Sequence, residues 1–314
     1  MLLGIDIGGT TIKVGLILPT GKLLARETID TPKDISPQKA RVLADTIQAF
    51  VGKGEVKHIE AIGITVPGIV DARDNVRMAP NVNLDLPALL QELQRNFPLA
   101  TLAVLNDANA AALGEQKFGA GDGANHMIFI TLGTGVGGGV IVDGNLVLGR
   151  CGATGEIGHI TVDENGKPCG CGRRGCLELY CSSRGVVDLY KKAYKGDINS
   201  TAAPLVFEHD AEAKPVFDAA REGNEAAKIA LDNTTRYLAS ALATMACVLD
   251  CDAFVIGGGL SASFDLLEPT LVAHYQSMAL PAQADISIRK AQLGNDAGML
   301  GAAVYALEKT LEHA

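Results

Sequence analysis

The chain has 314 residues, 47% of them hydrophobic and 20% charged, with a formal net charge of −9. That length suits two domains with a core each, and the composition excludes a disordered chain. The acidic balance argues against a nucleic-acid binder, which needs a basic face for phosphates. Glycine is the oddity: 36 residues, neither periodic nor matched by the 12 prolines, so collagen-like and low-complexity readings fail.

In chain order, strands are expected over 2–7, 11–18 and 23–29, joined by a Gly-Gly-Thr turn and by Pro19-Thr20-Gly21 into antiparallel hairpins. Val42, Leu43, Ile47, Phe50 and Val51 recur at helical spacing within 37–51. A buried strand over 59–66 ends at Pro67-Gly68, a helix covers 86–96, a strand 102–105, and an alanine-rich helix 108–118 opens after Asn106-Asp107. The pattern then begins again. Residues 127–148 repeat the strand, glycine turn and hairpin of 3–24 with a one-residue slip, as an internal duplication would. Long helices follow, 225–249 the clearest, then a strand at 253–256 running into Gly257-Gly258-Gly259, and a closing helix at 298–312. The stretch 195–215 carries the least pattern and no assigned function. No basic-then-apolar leader precedes the first strand, and no apolar run reaches the ~20 residues of a membrane helix. The chain is therefore expected to be cytoplasmic, with no membrane partner. Its seven cysteines then read as thiols or metal ligands rather than disulfides.

Three glycine clusters each follow an apolar strand: Gly8-Gly9, Gly133 to Gly139, and Gly257 to Gly259. Such turns let backbone N–H groups approach phosphate oxygens. Neither of the first two clusters matches the Walker pattern, and neither is followed by the helix that a dinucleotide fingerprint needs. Asp6, however, sits just before the first turn on an otherwise apolar strand, where a carboxylate needs a partner, and beside a phosphate cradle Mg²⁺ is the natural one. Asp6, Gly8, Gly9, Thr10, Thr11 and Lys13 resemble the first phosphate motif of the actin, Hsp70 and sugar-kinase superfamily. Gly133, Thr134 and Gly135, after Thr131-Leu132, resemble its second phosphate motif, and Gly257, Gly258 and Gly259 its adenosine motif. The resemblance implies an α/β fold of two ribonuclease-H-like (actin-like ATPase) domains with ATP in the interdomain cleft. The boundaries expected are 1–117 plus 300–314 for a smaller domain and 118–299 for a larger one.

Cys169, Cys171 and Cys176 lie close together, with His159 ten residues before the first. Three cysteines and a histidine form a tetrahedral set suited to Zn²⁺, and a closed set of that kind is structural. Glu156 and Glu178 flank the cluster. With the second nitrogen of His159 they offer fixed acceptors for the hydroxyls of a polyol. Cys247 and Cys251, at i, i+4 spacing, read as core packing.

The Glu-x-Gly-His of 156–159 and the Cys-x-Cys-Gly-x2-Gly-Cys-x-Glu of 169–178 resemble the ROK family of repressors, open reading frames and sugar kinases. The resemblance implies that His159 serves both zinc and sugar, and that Glu156 and Glu178 bind sugar hydroxyls. An Asp at a helix start is commonly a cap. The segment Asn106-Asp107-Ala108-Asn109-Ala110-Ala111 nevertheless resembles the family's catalytic segment, which makes Asp107 the base and Asn106 a sugar contact. Pro67-Gly68 and Ala79-Pro80-Asn81 resemble the family's earlier turn and its sugar-contacting Pro-Asn, so Gly68 and Asn81 join the substrate set, with Asn83 an alternative to Asn81. The stretch after Asn81 lacks the aromatic expected in many glucokinase-like members.

The reading is a hexose kinase that takes ATP, Mg²⁺ and a small-molecule sugar, with glucose as substrate and N-acetylmannosamine, fructose or allose as alternatives. The family also contains sugar-sensing repressors. Those need an added N-terminal helix-turn-helix, for which a phosphate strand beginning at Leu2 leaves no room. A non-catalytic sugar-binding or chaperone-like ATPase module would not require Asn106-Asp107 and the Cys/His loop together. A homodimer or homotetramer is what the resemblance implies for assembly.

Overall fold

The structure is a computed structural model that describes residues 1–34, 36–54, 56, 58–78, 85–196, 205–207 and 212–312. Three strands open it, β1 (Leu2–Ile7), β2 (Thr11–Ile17) and β3 (Leu23–Asp30), followed by α1 (Pro37–Lys53). Next come β4 (Ala61–Val66), β5 (Ile69–Val70), β6 (Val76–Met78), α2 (Leu86–Asn96), β7 (Thr101–Asn106) and α3 (Asp107–Phe118). The repeat supplies β8 (Met127–Leu132), β9 (Val136–Val142) and β10 (Asn145–Leu146). Helices α4 (Glu178–Cys181), α5 (Ser183–Gly196), α6 (Lys214–Arg221) and α7 (Glu225–Leu249) precede β11 (Ala253–Gly257), α8 (Phe264–Met278), β12 (Ser287–Lys290) and α9 (Ala297–Glu312).

The two larger sheets have one topology. The first runs β3-β2-β1-β4-β7 and the second β10-β9-β8-β11-β12, so each is a three-stranded meander extended by two later strands. In both sheets the later pair runs parallel to the meander's first strand or to its own neighbour. The duplication expected from 3–24 and 127–148 is thus present in the strand order.

By compactness the chain divides into Met1–Gly123 with Gly139–Gly155 and Leu293–Ala314, and Ala124–Gly138 with Glu156–Gln292. This differs from the boundaries expected from sequence, which set 118–123, 139–155 and 293–299 with the second body. Packing supplies the reason. A Cβ on Gly139 would lie 2.5 Å from the Ala112 side chain of α3, and one on Gly152 would lie 2.1 Å from the Val70 carbonyl oxygen. Glu115, fully buried on α3, accepts the Leu293 N–H at 2.7 Å.

Alternation along β1 decides what the first sheet carries. Leu3, Ile5 and Ile7 join the core formed with α1 and α2, while Leu2 belongs to the core under α9. On that second face Gly4 pairs with Gly15 of β2 and Gly63 of β4, and Gly63 with Ala103 of β7, making a trough of minimal side chains. Helix α9 lies in it: a Cβ on Gly63 would come within 1.9 Å of the Ala302 carbonyl oxygen. This adds a use of glycine that the turn-based reading did not foresee. On α1 the buried stripe is Ala40, Leu43, Ala44, Ile47, Phe50 and Val51, whereas Val42 is exposed. The expected core role of Cys247 also fails. It is exposed, and Cys251 lies beyond the end of α7, buried on its own account.

The second unit is built on one extended core, in which Ile128, Ile130 and Leu132 of β8 and Phe254 and Ile256 of β11 meet the apolar faces of α5, α6, α7 and α8. No helix among the described residues is long and apolar enough to cross a membrane.

Candidate functional site

In the first unit the site grows from Asp6. The register of β1 with β2 and β4 sets Asp6 beside Lys13 and Thr65. Lys13 Nζ stands 3.3 Å from one carboxylate oxygen, and the fully buried Thr65 hydroxyl donates to the other at 2.6 Å. Thr65 joins the candidate site through this bond and was missed by sequence reasoning; its signal is a hydroxyl on an otherwise apolar strand. The turn that follows is tight: Gly8 N–H donates to the Thr11 carbonyl at 3.0 Å, and a Cβ at Gly8 would lie 2.9 Å from that oxygen. Thr31 braces the turn, donating its hydroxyl to the Gly8 carbonyl and its N–H to the Thr10 carbonyl. Gly9 and Thr10 are left at the surface.

Asp107 enters at the end of β7. The capping explanation for it does not hold, because the cap of α3 is Asn106, whose Oδ1 accepts the Asn109 N–H at 3.0 Å. The Asn106 amide donates to the Gly68 carbonyl at 2.8 Å and to Asp107 Oδ1 at 3.0 Å. Gly68, Asn106 and Asp107 are thereby brought together, with Gly68 at φ 141°. Both amide donors of Asn106 are engaged, which leaves a lone pair on its Oδ1 for a hydroxyl donor. Ala108 N–H also donates to Asp107 Oδ1, at 2.9 Å, so that oxygen is held while Oδ2 takes no hydrogen bond from a described residue.

Crowding by surrounding protein raises the Asp107 carboxyl above the ordinary carboxylate range, and the negative charge of Asp6 acts in the same sense. The hydrogen bonds from Ala108 and Asn106 pull the other way. The residue nevertheless keeps solvent access. Asp6 and Asp107 flank the start of α9. A Cβ on Gly298 would stand 3.8 Å from Asp6 Oδ1 and 3.7 Å from the Asp107 carbonyl oxygen. The start of α9 thus lies beside the Asp6 carboxylate. One such carboxylate with substrate phosphates is the usual protein share of a Mg²⁺ site.

In the second unit the turn between β8 and β9 holds Gly133, Thr134 and Gly135. Gly133 donates its N–H to the Gly135 carbonyl at 2.9 Å and accepts from Ser183 N–H at 2.8 Å. Gly258, at φ 82°, packs on the Leu132 backbone, so the strand end of β11 lies against the start of this turn. Cβ atoms at Gly133 and Gly259 would meet nothing within 4 Å, so both backbones face open space that a phosphate or nucleotide could approach. Gly257 instead packs on the Phe129 ring. Glu178 reaches the same turn: a Cβ on Gly135 would lie 2.7 Å from its Oε2, which accepts the Val136 N–H at 3.4 Å.

His159, Cys169, Cys171 and Cys176 offer ligand atoms that all lie within 4.8 Å of one another. Cys171 Sγ and Cys176 Sγ are 3.7 Å apart, and His159 Nδ1 is 3.8 Å from Cys169 Sγ. Tetrahedral bonds of about 2.3 Å to sulfur require ligand–ligand edges of about 3.8 Å, so the set fits Zn²⁺. Nδ1 is then the metal-facing nitrogen. Nε2 turns toward Glu156, 3.9 Å away, a distance suited to a bridging hydroxyl. Asn81 and its alternative Asn83 lie outside the described residues.

A family model described as the ROK family matches residues 2–309. The glucokinase of Halalkalibacterium halodurans is 38% identical over 309 residues, covering 95% of this chain and 92% of its own length. An N-acetylmannosamine kinase of Escherichia coli O7:K1 is 35% identical over 316 residues, covering 98% and 99%. Among solved structures, the ROK family glucokinase from Streptomyces griseus in complex with glucose and AMPPNP superposes with a TM-score of 0.77 at 36% identity, covering 98% of this chain and 99% of that one.

Proposed function

The chain belongs to the ROK family, and from that premise we propose that it transfers the γ-phosphoryl group of ATP to the 6-hydroxyl of a hexose, with glucose as substrate. The observation that carries the reading is Asp107. It is a carboxylate relieved of capping, held by one oxygen, with its pKa raised toward the working range of a general base.

Asp107 Oδ2 accepts the proton of the sugar hydroxyl as that oxygen bonds to the γ-phosphorus. The bond from phosphorus to the bridging oxygen breaks, and its electron pair leaves with ADP. Asn106 fixes the carboxylate through one amide proton and the Gly68 carbonyl through the other, so the base cannot rotate away from the hydroxyl. Asp6 would hold Mg²⁺, which supplies charge neutralisation on the phosphates when bound. Lys13, 3.3 Å from Asp6, would add an ammonium group for phosphate oxygens. Backbone N–H groups at Gly8-Gly9 and Gly133-Thr134-Gly135 would take further phosphate oxygens, with adenosine along Gly257-Gly258-Gly259.

A structural Zn²⁺ on His159, Cys169, Cys171 and Cys176 would order the loop that presents Glu156, His159 and Glu178 to sugar hydroxyls. Asn81 or Asn83 and Gly68 would complete the sugar contacts. Seven cysteines without a disulfide, and ATP as co-substrate, support a cytoplasmic place of work. The acidic chain supports a partner set of sugar and metal-bound ATP without nucleic acid. The lack of a long apolar helix among the described residues supports a reading without a membrane partner. A second copy in a dimer or tetramer is what the family resemblance implies. The N-acetylmannosamine kinase likeness favours a second substrate reading. ADP release measured across hexoses and N-acetylhexosamines tests both. Glucose giving the highest kcat/KM supports the first, N-acetylmannosamine the second, and no turnover with either sinks the reading.

A further inference from the structure

A cavity of ≈530 Å³ opens within the second unit, and neither the nucleotide nor the sugar reading uses it. One wall is the segment between His159 and Cys169, another is α4, and the remainder comes from α5 and Tyr237 of α7. On α5 the spacing i, i+3, i+4, i+7 puts Asp188, Lys191, Lys192 and Lys195 on this one lining.

The charges here do not balance. Lys167 pairs with Asp188 at 2.8 Å, and Lys191 lies over the Phe207 ring, 5.4 Å from its centroid. Asp163 accepts the Tyr180 hydroxyl at 2.9 Å and the Asn165 N–H at 3.1 Å. Lys192 and Lys195 are exposed and make no ion pair among the described residues. Two uncompensated ammonium groups thus face a cavity in a chain whose net charge is −9. A phosphomonoester carries about −1.5 to −2 at neutral pH, which matches them. Beside the lysines, Tyr180 and Tyr237 stack with centroids 4.0 Å apart, and Asn165 contributes to the lining. An aromatic surface and an amide suit a polyol skeleton, and the volume falls within the ordinary range of small-molecule sites, about 300–1,000 Å³.

We propose that this cavity binds a phosphorylated polyol or sugar and regulates the affinity of the enzyme for its hexose. The coupling rests on the hexose-kinase reading. Tyr180 follows Glu178 by two residues on α4, and its partner Asp163 follows His159 by four. A ligand that loads the Tyr180–Asp163 contact therefore acts on both elements that present sugar-binding groups.

The test is calorimetric titration of the full chain with glycerol 3-phosphate, glucose 6-phosphate and inorganic phosphate, alongside the KM for glucose at saturating glycerol 3-phosphate. Glycerol 3-phosphate is the main probe because it is not the reaction product. Lys192→Glu/Lys195→Glu and Lys192→Arg/Lys195→Arg are compared with the native chain, and neither pair touches the catalytic machinery. The expected result is saturable glycerol 3-phosphate binding that glucose does not displace. It should weaken at least about tenfold in the Glu pair and persist in the Arg pair. The KM for glucose should shift about threefold or more in the native chain and in the Arg pair, and stay unshifted in the Glu pair. Absence of saturable binding, equal binding by the Glu pair, or inorganic phosphate binding as tightly as the esters overturns the site. So does a change of association state without ester binding. Binding that leaves the KM unchanged overturns the regulatory role. The binding arm needs no turnover, so failure of the kinase reading and failure of this site give different results.

Discussion

The first and second sheets share a strand order and differ in what stands at the end of the leading strand. In the first, Asp6 precedes the glycine turn, with Lys13 and Thr65 on its flanking strands. In the second, the equivalent position is Thr131, and its neighbour on the parallel strand is Gly257. One half therefore concentrates charge beside Asp107, while the other offers backbone N–H groups, hydroxyls and open glycines at 133 and 259. The duplicated unit supplies a glycine turn at the end of the leading strand twice. On the proposed function, the first copy carries the catalytic carboxylates and the second the loop that would meet the sugar.

The largest effect expected from breaking this comparison is at Asp107. Asp107→Ala should lower kcat by about 10²–10⁴-fold with glucose affinity retained, measured by ADP release and calorimetry. Near-native turnover would remove Asp107 as the base. The variant should also be no less stable than the native chain. Because the folded-state pKa is raised, Asp107 binds its proton more tightly folded than unfolded. Its stabilising contribution is present at low pH and is lost as pH rises through the folded pKa. Melting at pH 7 checks this, and a marked fall in Tm would contradict it.

Exchanging the two strand-end residues sharpens the contrast. Asp6→Asn should cost about a hundredfold or more in kcat, whereas Thr131→Val should cost less than about tenfold. Equal losses would mean that the halves are not specialised. Removing zinc with a chelator, or Cys176→Ser, should raise the KM for glucose well before it alters the KM for ATP, followed by metal analysis and steady-state rates. A chain purified without zinc and with an unchanged KM would contradict the loop's role. The smallest kinetic effect is expected at the α9 trough. Gly63→Ala drives a methyl toward the Ala302 carbonyl, so it should cost about 1–3 kcal/mol of stability while leaving the KM of the folded fraction intact. Denaturant midpoints measure it.

Much of this was legible in the sequence because short-range chemistry wrote it there. The strand at Leu2–Ile7 and the helices at Leu86–Asn96 and Glu225–Leu249 sit where periodicity and turn residues put them. The Cys/His spacing predicted a cluster that does form, since its ligands lie within one loop. Long-range packing was not legible. Gly4, Gly15 and Gly63 look like ordinary strand glycines until their register aligns them under a helix at the far end of the chain. Nor does local sequence distinguish a capping Asn106 from a capping Asp107. The difference is one helical position, and it appears only when the Asn109 N–H is seen to choose Asn106. Glu115 is the same kind of case, a carboxylate on a polar stretch whose partners include the distant Leu293.

The central claim is that Asp107 is the proton acceptor, and its most direct test is the pH dependence of kcat/KM for glucose in the native chain and in Asp107→Asn. The native profile should fall on the acid side with an apparent pKa above the ordinary carboxylate value, because protonated Asp107 cannot accept the hydroxyl proton. The residual activity of Asp107→Asn should lack that limb. An acid limb of unchanged position in the variant would contradict the account.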